Sequence, residues 1–382
     1  MPAFDAPSLG LDPSGCVFES LRLARSPRIG AVTFGKMLAA YGSADRALAA
    51  LPDHAESRGI RNYRPAPIAA VRTELERAAE AGAVALVRGQ PGYPAALAAL
   101  ADAPPVLWAL GRLELLGRDA VAVVGARNAS ALGHRMAERL ASGLGAAGFV
   151  VTSGLARGVD RSAHLASVET GTIAVFAGGV DQVYPQQNAD IAERIRAHGL
   201  VLSEAPMGLS PRAQDFPRRN RIVSGLSRAV VLIEAAAKSG SLITARMALD
   251  QGREVMAVPG SPLDARAAGC NDMIRQGAVL VRSAEDILDA LDGPPRHQSD
   301  QERLPELHAP LPEPEPVQDA PLPGTTAQML LGLLSAAPVP EDTLIRQLGL
   351  TAPQVMEALL ELELTGQIDR HPGGMVSARV VA

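Results

Sequence analysis

Between Asp119 and Asp292, short apolar runs alternate with stretches in which apolar positions recur every three or four residues. Val121 to Val124, Phe149 to Thr152, Ile173 to Phe176, Leu200 to Leu202, Ala229 to Ile233, Val255 to Val258 and Ala278 to Val281 read as buried strands. The intervening segments carry helical stripes, such as Met136, Leu140 and Leu144. Alternation of this kind predicts βαβ units around a parallel sheet. Each run ends in a glycine-rich or polar loop, so the loops gather along one rim, where open α/β sheets hold ligands. Upstream, Val106 to Leu110 predicts one more strand, with Trp108 as a core residue.

The flanks are patterned differently. Residues 1–85 read as helical, with a stripe through Val32, Phe34, Met37, Leu38 and Tyr41, a stop at Gly42 and a cap at Ser43. Short helices around Ser26-Pro27-Arg28-Ile29-Gly30 resemble a helix-hairpin-helix or sterile-alpha-motif-like unit. Its hairpin either holds a DNA phosphate, with Arg25, Arg28 or Lys36 nearby, or serves as a protein contact. Residues 86–292 then hold the sheet, of which 86–118 form the joining segment. Residues 293–324 are a linker rich in Pro and Glu. From 325 to 382 the stripe returns in three steps: Met329, Leu330, Leu333 and Leu334; then Leu344, Ile345 and Leu348; then a helix from Thr351 to Leu364. Ile368, Gly373, Gly374, Met375 and Val376 follow as a two-stranded wing, which completes a winged helix. Its third helix carries Glu357, Glu361 and Glu363 and no base, which suits a protein contact better than a DNA groove.

Composition narrows the classes. The 382 residues are 47% hydrophobic, enough for sizeable cores, and no apolar run is long enough to span a bilayer, so a cytoplasmic protein is expected. Two cysteines, Cys16 and Cys270, argue against a disulfide framework and a Cys-rich zinc site. No metal or cofactor is expected. The net charge of −5 disfavours nucleic acid unless a basic patch is local. Aromatics at 3% disfavour a string of base-stacking platforms, so any strand bound here should be held by its phosphates.

Three stretches carry candidate chemistry. Gly125-x-Arg127-x-x-Ser130 ends a strand and opens a helix, as phosphate loops do, yet lacks the second and third glycines of a dinucleotide site. Lys238-Ser239-Gly240-Ser241 opens another helix and offers an anion seat without the spaced glycines of an ATP loop. Lys36 and Lys238 are the only lysines. Lys238 is therefore expected to serve as a compact point charge, and Lys238→Arg to weaken strand binding. Phe216-Pro217-Arg218-Arg219-Asn220-Arg221 clusters arginines that can track a phosphate backbone. An enzyme reading has Asp160 and His164 one helical turn apart, with Glu204 and Glu234 near strand ends, but no nucleophile elbow or metal cluster.

Taken together, these motifs, with Ser153-Gly154-Leu155-Ala156-Arg157-Gly158-Val159-Asp160 and Gly269-Cys270-Asn271, resemble the DprA/Smf (DNA processing protein A) family. The resemblance implies an extended Rossmann-like, mostly parallel α/β sheet between the helical domain and the winged helix. It implies a homodimer that binds single-stranded DNA, protects incoming strands in natural transformation and helps load the RecA recombinase, without being an enzyme. On the same basis Gly125, Ala126 and Arg127 would form a phosphate loop. Lys238, Ser239, Gly240 and Ser241 would form a second clamp, with Asn220 and Arg221 beside it. Gln186 stands where many members have lysine, which puts one backbone contact in doubt. The alternative is a lysine-decarboxylase-like nucleotide hydrolase; the loop after Glu234 lacks the glutamate of that group's Pro-Gly-Gly-x-Gly-Thr-x-x-Glu motif.

Overall fold

A computed structural model describes residues 16–291 and much of 327–378. The stretch 293–324 lies outside the described residues, as do Met329, Leu333, Gly373 and Gly374. The chain opens with helices α1 (Cys16–Arg25), α2 (Ala31–Tyr41), α3 (Ala44–Glu56) and α4 (Ile68–Ala81). Gly42 stops α2 at φ +82°, where its N–H reaches the Leu38 carbonyl and a side chain would be strained. Leu23, Phe34, Met37, Leu48 and Leu51 pack the inner faces of these helices.

After α4 comes β1 (Val84–Val87), then α5 (Ala95–Ala98), β2 (Val106–Gly111), β3 (Ala120–Gly125) and α6 (Ala131–Ala146). The βα pattern continues through β4 (Val150–Ser153), α7 (Val159–Ser167), β5 (Thr172–Val175), α8 (Ala189–His198), β6 (Leu200–Ser203) and α9 (Asp215–Gly225). It closes with β7 (Ala229–Ile233), α10 (Gly240–Asp250), β8 (Glu254–Ala257), α11 (Ala268–Arg275), β9 (Val279–Leu280) and α12 (Ala284–Ala290). The nine strands form one sheet in the order β1-β2-β6-β5-β4-β3-β7-β8-β9. β3 to β9 are parallel, while β1 and β2 run antiparallel at one edge. Connections go outward in opposite directions from β3 and β7, so the topological switch lies between those two strands.

One face is covered by α9, α10 and α11 through Ile222, Val223, Leu242, Ala245 and Cys270. The other face packs α6, α7 and α12 through Leu140, Leu144, Ala163 and Ile287, with α8 farther along. Strand β1 corrects the picture of a joining segment: residues 84–87 pair with 106–109, so a boundary at 85 falls inside a strand. The helical layer and the sheet belong to one compact unit, Met1–Pro305. Leu21, Val71 and Ala78 from α1 and α4 share a core with Val87, Trp108 and Ile195.

A buried carboxylate fastens this contact. Glu74 on α4 accepts from Arg25 Nη2 at 2.8 Å, Arg25 Nε at 3.0 Å and Trp108 Nε1 at 2.8 Å. All three donors need an acceptor, because burial without one costs more than the bond returns. Glu74→Gln offers one oxygen in place of two and no charge. It should lower stability by about 1.5 kcal/mol, seen as a lower urea midpoint at unchanged slope.

The second unit, Glu306–Ala382, is a small winged helix. It contains β10 (Val339–Pro340), α13 (Glu341–Leu348), α14 (Ala352–Leu364), β11 (Ile368–His371) and β12 (Met375–Ala378). Its sheet has three strands rather than two, in the order β10-β12-β11, because Val339 and Pro340 add to the free edge of β12. Leu330, Leu344, Val355, Leu359, Ile368 and Val376 fill its core. Glu357 and Glu363 are exposed on α14, the helix read as acidic. Among the described residues no helix is long and apolar enough to cross a membrane.

Candidate nucleic-acid interface

The loops that follow β3 and β7 border a cleft of about 880 Å³ at the carboxyl rim of the sheet. Gly125, Ala126, Arg127, Asn220, Lys238, Ser239, Gly240 and Ser241 all line it. A second cavity of about 410 Å³ shares Arg127, Tyr184, Phe216 and Arg219 with the first.

The glycine of the first loop serves packing. A Cβ on Gly125 would lie 1.9 Å from the carbonyl oxygen of Ile233, so β3 and β7 close only over a bare Cα. The Ala126 N–H donates to the same carbonyl, at 3.3 Å, and the Ala126 carbonyl accepts from Val159 N at 3.2 Å. These backbone groups are already committed. The loop's free contribution to an anion therefore begins at Arg127, which is exposed.

Helix α6 opens with a real cap. Ser130 Oγ accepts from Gly133 N at 3.0 Å. The seat in front of that helix is filled from within: the Glu234 carboxylate accepts from Ser130 N at 2.8 Å and from the Ser130 hydroxyl. A Cβ on Gly133 would stand 2.6 Å from the Glu234 carboxyl carbon, so that glycine makes room for the carboxylate. Glu234 reaches it with φ +51°, a conformation uncommon outside glycine. An internal carboxylate thus takes the place at the first helix N-terminus where a dinucleotide fold holds pyrophosphate.

Helix α10 presents the other N-terminus and differs in this respect. Ser239 caps it, accepting from Ser241 N at 3.3 Å, and the two hydroxyls share a bond of 2.7 Å. Its first turn carries no acidic side chain, and beyond the adjoining residues and the helix's own backbone nothing lies within 4 Å of a Cβ built on Gly240. The backbone here is open to close approach by an anion. Lys238 is exposed just before it. That exposure removes the crowding on which the expected cost of Lys238→Arg rests. The variant should bind within about twofold of wild type in an anisotropy titration, with its salt dependence unchanged.

The arginine cluster on α9 does not share one face, since successive helical residues point about 100° apart. Asn220 faces the cleft. Arg221 does not, and this corrects its assignment beside the clamp: it is buried, its guanidinium 2.6 Å from Glu204 and also bonded to the Asp102 carbonyl. Arg218 is exposed and lies 3.3 Å from Glu204. Arg219 is buried in the wall shared by the two cavities, donating to the Val175 carbonyl at 2.6 Å. A Cβ on Gly154 would meet its guanidinium at 2.0 Å. Burial lowers the Arg219 pKa to about 10, against the attraction of Asp160.

Asp160 and His164 do not form a dyad. The Asp160 carboxylate accepts from Gly154 N and Ala156 N, each at 3.2 Å, and burial raises its pKa. His164 Nδ1 pairs with Thr172 Oγ1 at 2.8 Å. Desolvation, helped by Arg219, holds the imidazole neutral with a pKa of about 3. Asp160 shapes the loop after β4, and His164 belongs to the core.

Two rings complete the site that motif reading left unassigned. The Arg127 guanidinium lies over the Phe216 ring, 5.3 Å from its centroid. Phe216 in turn meets Tyr184 at 5.5 Å with a tilt of 51°. The stack stands between the two cavities and fixes a long cationic side chain at their junction. Gln186, beside Tyr184, lines the second cavity.

The chain matches the model of DNA recombination-mediator protein A over residues 84–292. It also matches the DprA-like N-terminal HHH domain over 16–77 and the DprA winged helix domain over 312–374. Protein Smf of Escherichia coli is 39% identical over 300 residues, 75% of each chain. DNA processing protein DprA of Bacillus subtilis is 44% identical over 202 residues, 52% of this chain and 68% of that one. Among solved structures, DprA from Streptococcus pneumoniae superposes with a TM-score of 0.62 at 36% identity, over 72% of this chain and 97% of that one. DNA processing protein A from Helicobacter pylori, described for its single-stranded DNA binding mode, gives 0.51 at 29% identity over 55% and 95%. With its central sheet matched from end to end and a relative this similar over three quarters of both lengths, the chain belongs to the DNA recombination-mediator protein A (DprA/Smf) family.

Proposed function

We propose that the cleft binds single-stranded DNA by its phosphate backbone. In this reading the protein acts in the cytoplasm as a homodimer, shields incoming strands during natural transformation and helps deliver them to the RecA recombinase. The observation that carries the reading is the contrast between the two helix N-termini. The seat before α6 is filled by Glu234, whereas α10, with Lys238 before it and Arg127 across the cleft, is open. Such a rim, with the pyrophosphate seat before α6 already filled, suits a chain of diesters passing from one cation to the other. The single-stranded DNA binding described for the Helicobacter pylori relative supports the same ligand. Transformation, the homodimer and delivery to RecA rest on family membership.

We read the protein as a binder rather than a nucleotide hydrolase. The commitments of Asp160, His164 and Glu234 to internal hydrogen bonds support this. The deciding experiment titrates the full chain with labelled single-stranded and duplex oligonucleotides, and separately with a nucleoside monophosphate while base release is followed. Tighter saturable binding to the single strand and no base release are expected. Base release by the purified protein would overturn the reading.

The winged helix is assigned to a protein contact, because Glu357 and Glu363 are exposed on α14. A chain ended at Pro305, where the first compact unit ends, should keep its single-strand affinity within about twofold. A tenfold loss would put strand contacts in the second unit.

A further inference from the structure

The helical layer contains basic side chains that the cleft does not use. Residues 16–82 hold ten Lys and Arg against seven Asp and Glu, in a chain whose net charge is −5. Two runs in this layer contain no acid at all, residues 20–44 and residues 57–73. Helix α3, with Asp45, Asp53 and Glu56, separates them in sequence, and they are joined in space. Tyr63 Oη donates to the Pro27 carbonyl at 2.6 Å, and Ala66 N donates to Ser26 Oγ at 3.0 Å. Arg22 Nε reaches the Ala66 carbonyl at 3.0 Å. The loop after α3 is thereby fastened to the turn between α1 and α2.

Arg28, Arg58, Arg61 and Arg64 are all exposed around this junction. Arg25 is held by Glu74, but no ion pair or hydrogen bond among the described residues engages the guanidinium of these four. Gly59 at φ +78° and Asn62 at φ +55° turn the loop that carries Arg58, Arg61 and Arg64. The first turn of α2 next to Arg28 has neither an acid nor a side-chain cap, which leaves the field there positive. Exposed forked donors on two runs that contain no carboxylate fit phosphate oxygens. They offer little to read base edges, so the contact is to backbone.

We propose that Arg28, Arg58, Arg61 and Arg64 form a second surface for the phosphodiester backbone of nucleic acid, separate from the cleft of the sheet. The ligand chemistry is shared by single strands and duplex, and the two are separate arms of the test. The full chain is compared with a variant carrying Arg28→Asn, Arg58→Gln, Arg61→Gln and Arg64→Gln; asparagine suits the φ of +63° at position 28. Each is titrated with single-stranded and with duplex oligonucleotide over a salt series. The same comparison is repeated in chains that also carry Arg127→Ala and Lys238→Ala.

The four replacements should weaken binding about tenfold in at least one arm and lower its salt slope by about 2. The loss should persist when the cleft is disabled. A folded fourfold variant with wild-type affinity and slope in both arms would overturn the surface. If instead the cleft replacements alone have no effect, it is the cleft reading that fails, and the four arginines are still judged by their own comparison.

Discussion

Replacing Arg127 and Lys238 together by alanine should reduce single-strand affinity about 100-fold while the fold persists. Each side chain supplies one charge-assisted contact to a phosphate, on the order of 1.5 kcal/mol, and two such losses multiply to that factor. Both side chains are exposed. Arg127 touches the Phe216 ring but closes no core, so its loss should leave the circular dichroism spectrum and the urea midpoint near those of wild type. The salt dependence gives an independent reading. Two fewer neutralised phosphates should lower the slope of log affinity against log salt by about 1.4 for a single strand. Full affinity in the folded double variant would remove the strand from this cleft.

The sheet was readable because its strands are runs of small and branched apolar residues separated by helical stripes. Burial on both faces demands that composition. Strand β1 was missed for a physical reason: four residues follow α4 after the single break at Gly82, too few for a periodic signal. Its identity comes from pairing with β2, which no local pattern announces. The cleft was legible as a set of loops after strand ends, and the rim held them together as expected. Which side chains face it was less legible. Asn220 and Arg221 are neighbours in sequence and face opposite surroundings, a matter of helical phase set by the packing of Ile222 and Val223. The stack of Arg127, Phe216 and Tyr184 joins two loops and the first turn of α9 and has no signature in any one of them.

Glu234 shows the same limit most clearly, since its partner Ser130 is 104 residues away. Position at a strand end made this carboxylate a candidate for catalysis; geometry makes it the counter-charge of α6. Glu234→Ala should therefore be costly to stability, by about 3 kcal/mol. The loss combines a charged acceptor for the Ser130 N–H and hydroxyl, the favourable placement of negative charge at a helix N-terminus, and a void beside Gly133. Glu234→Gln keeps the volume and one acceptor, so roughly 1 kcal/mol should be lost. Alanine keeps the Cβ and with it the strain at φ +51°, so relief of backbone strain does not mask the effect. Urea denaturation at neutral pH measures both variants. Sulfate supplies a further check, because a free anion can take the emptied seat before α6. It should stabilise Glu234→Ala more than it stabilises wild type, beyond its general effect on burial. Single-strand affinity should change by less than about threefold, since the phosphates are assigned to Arg127 and α10. An alanine variant as stable as wild type, with no extra response to sulfate, would show that Glu234 does not hold that helix end.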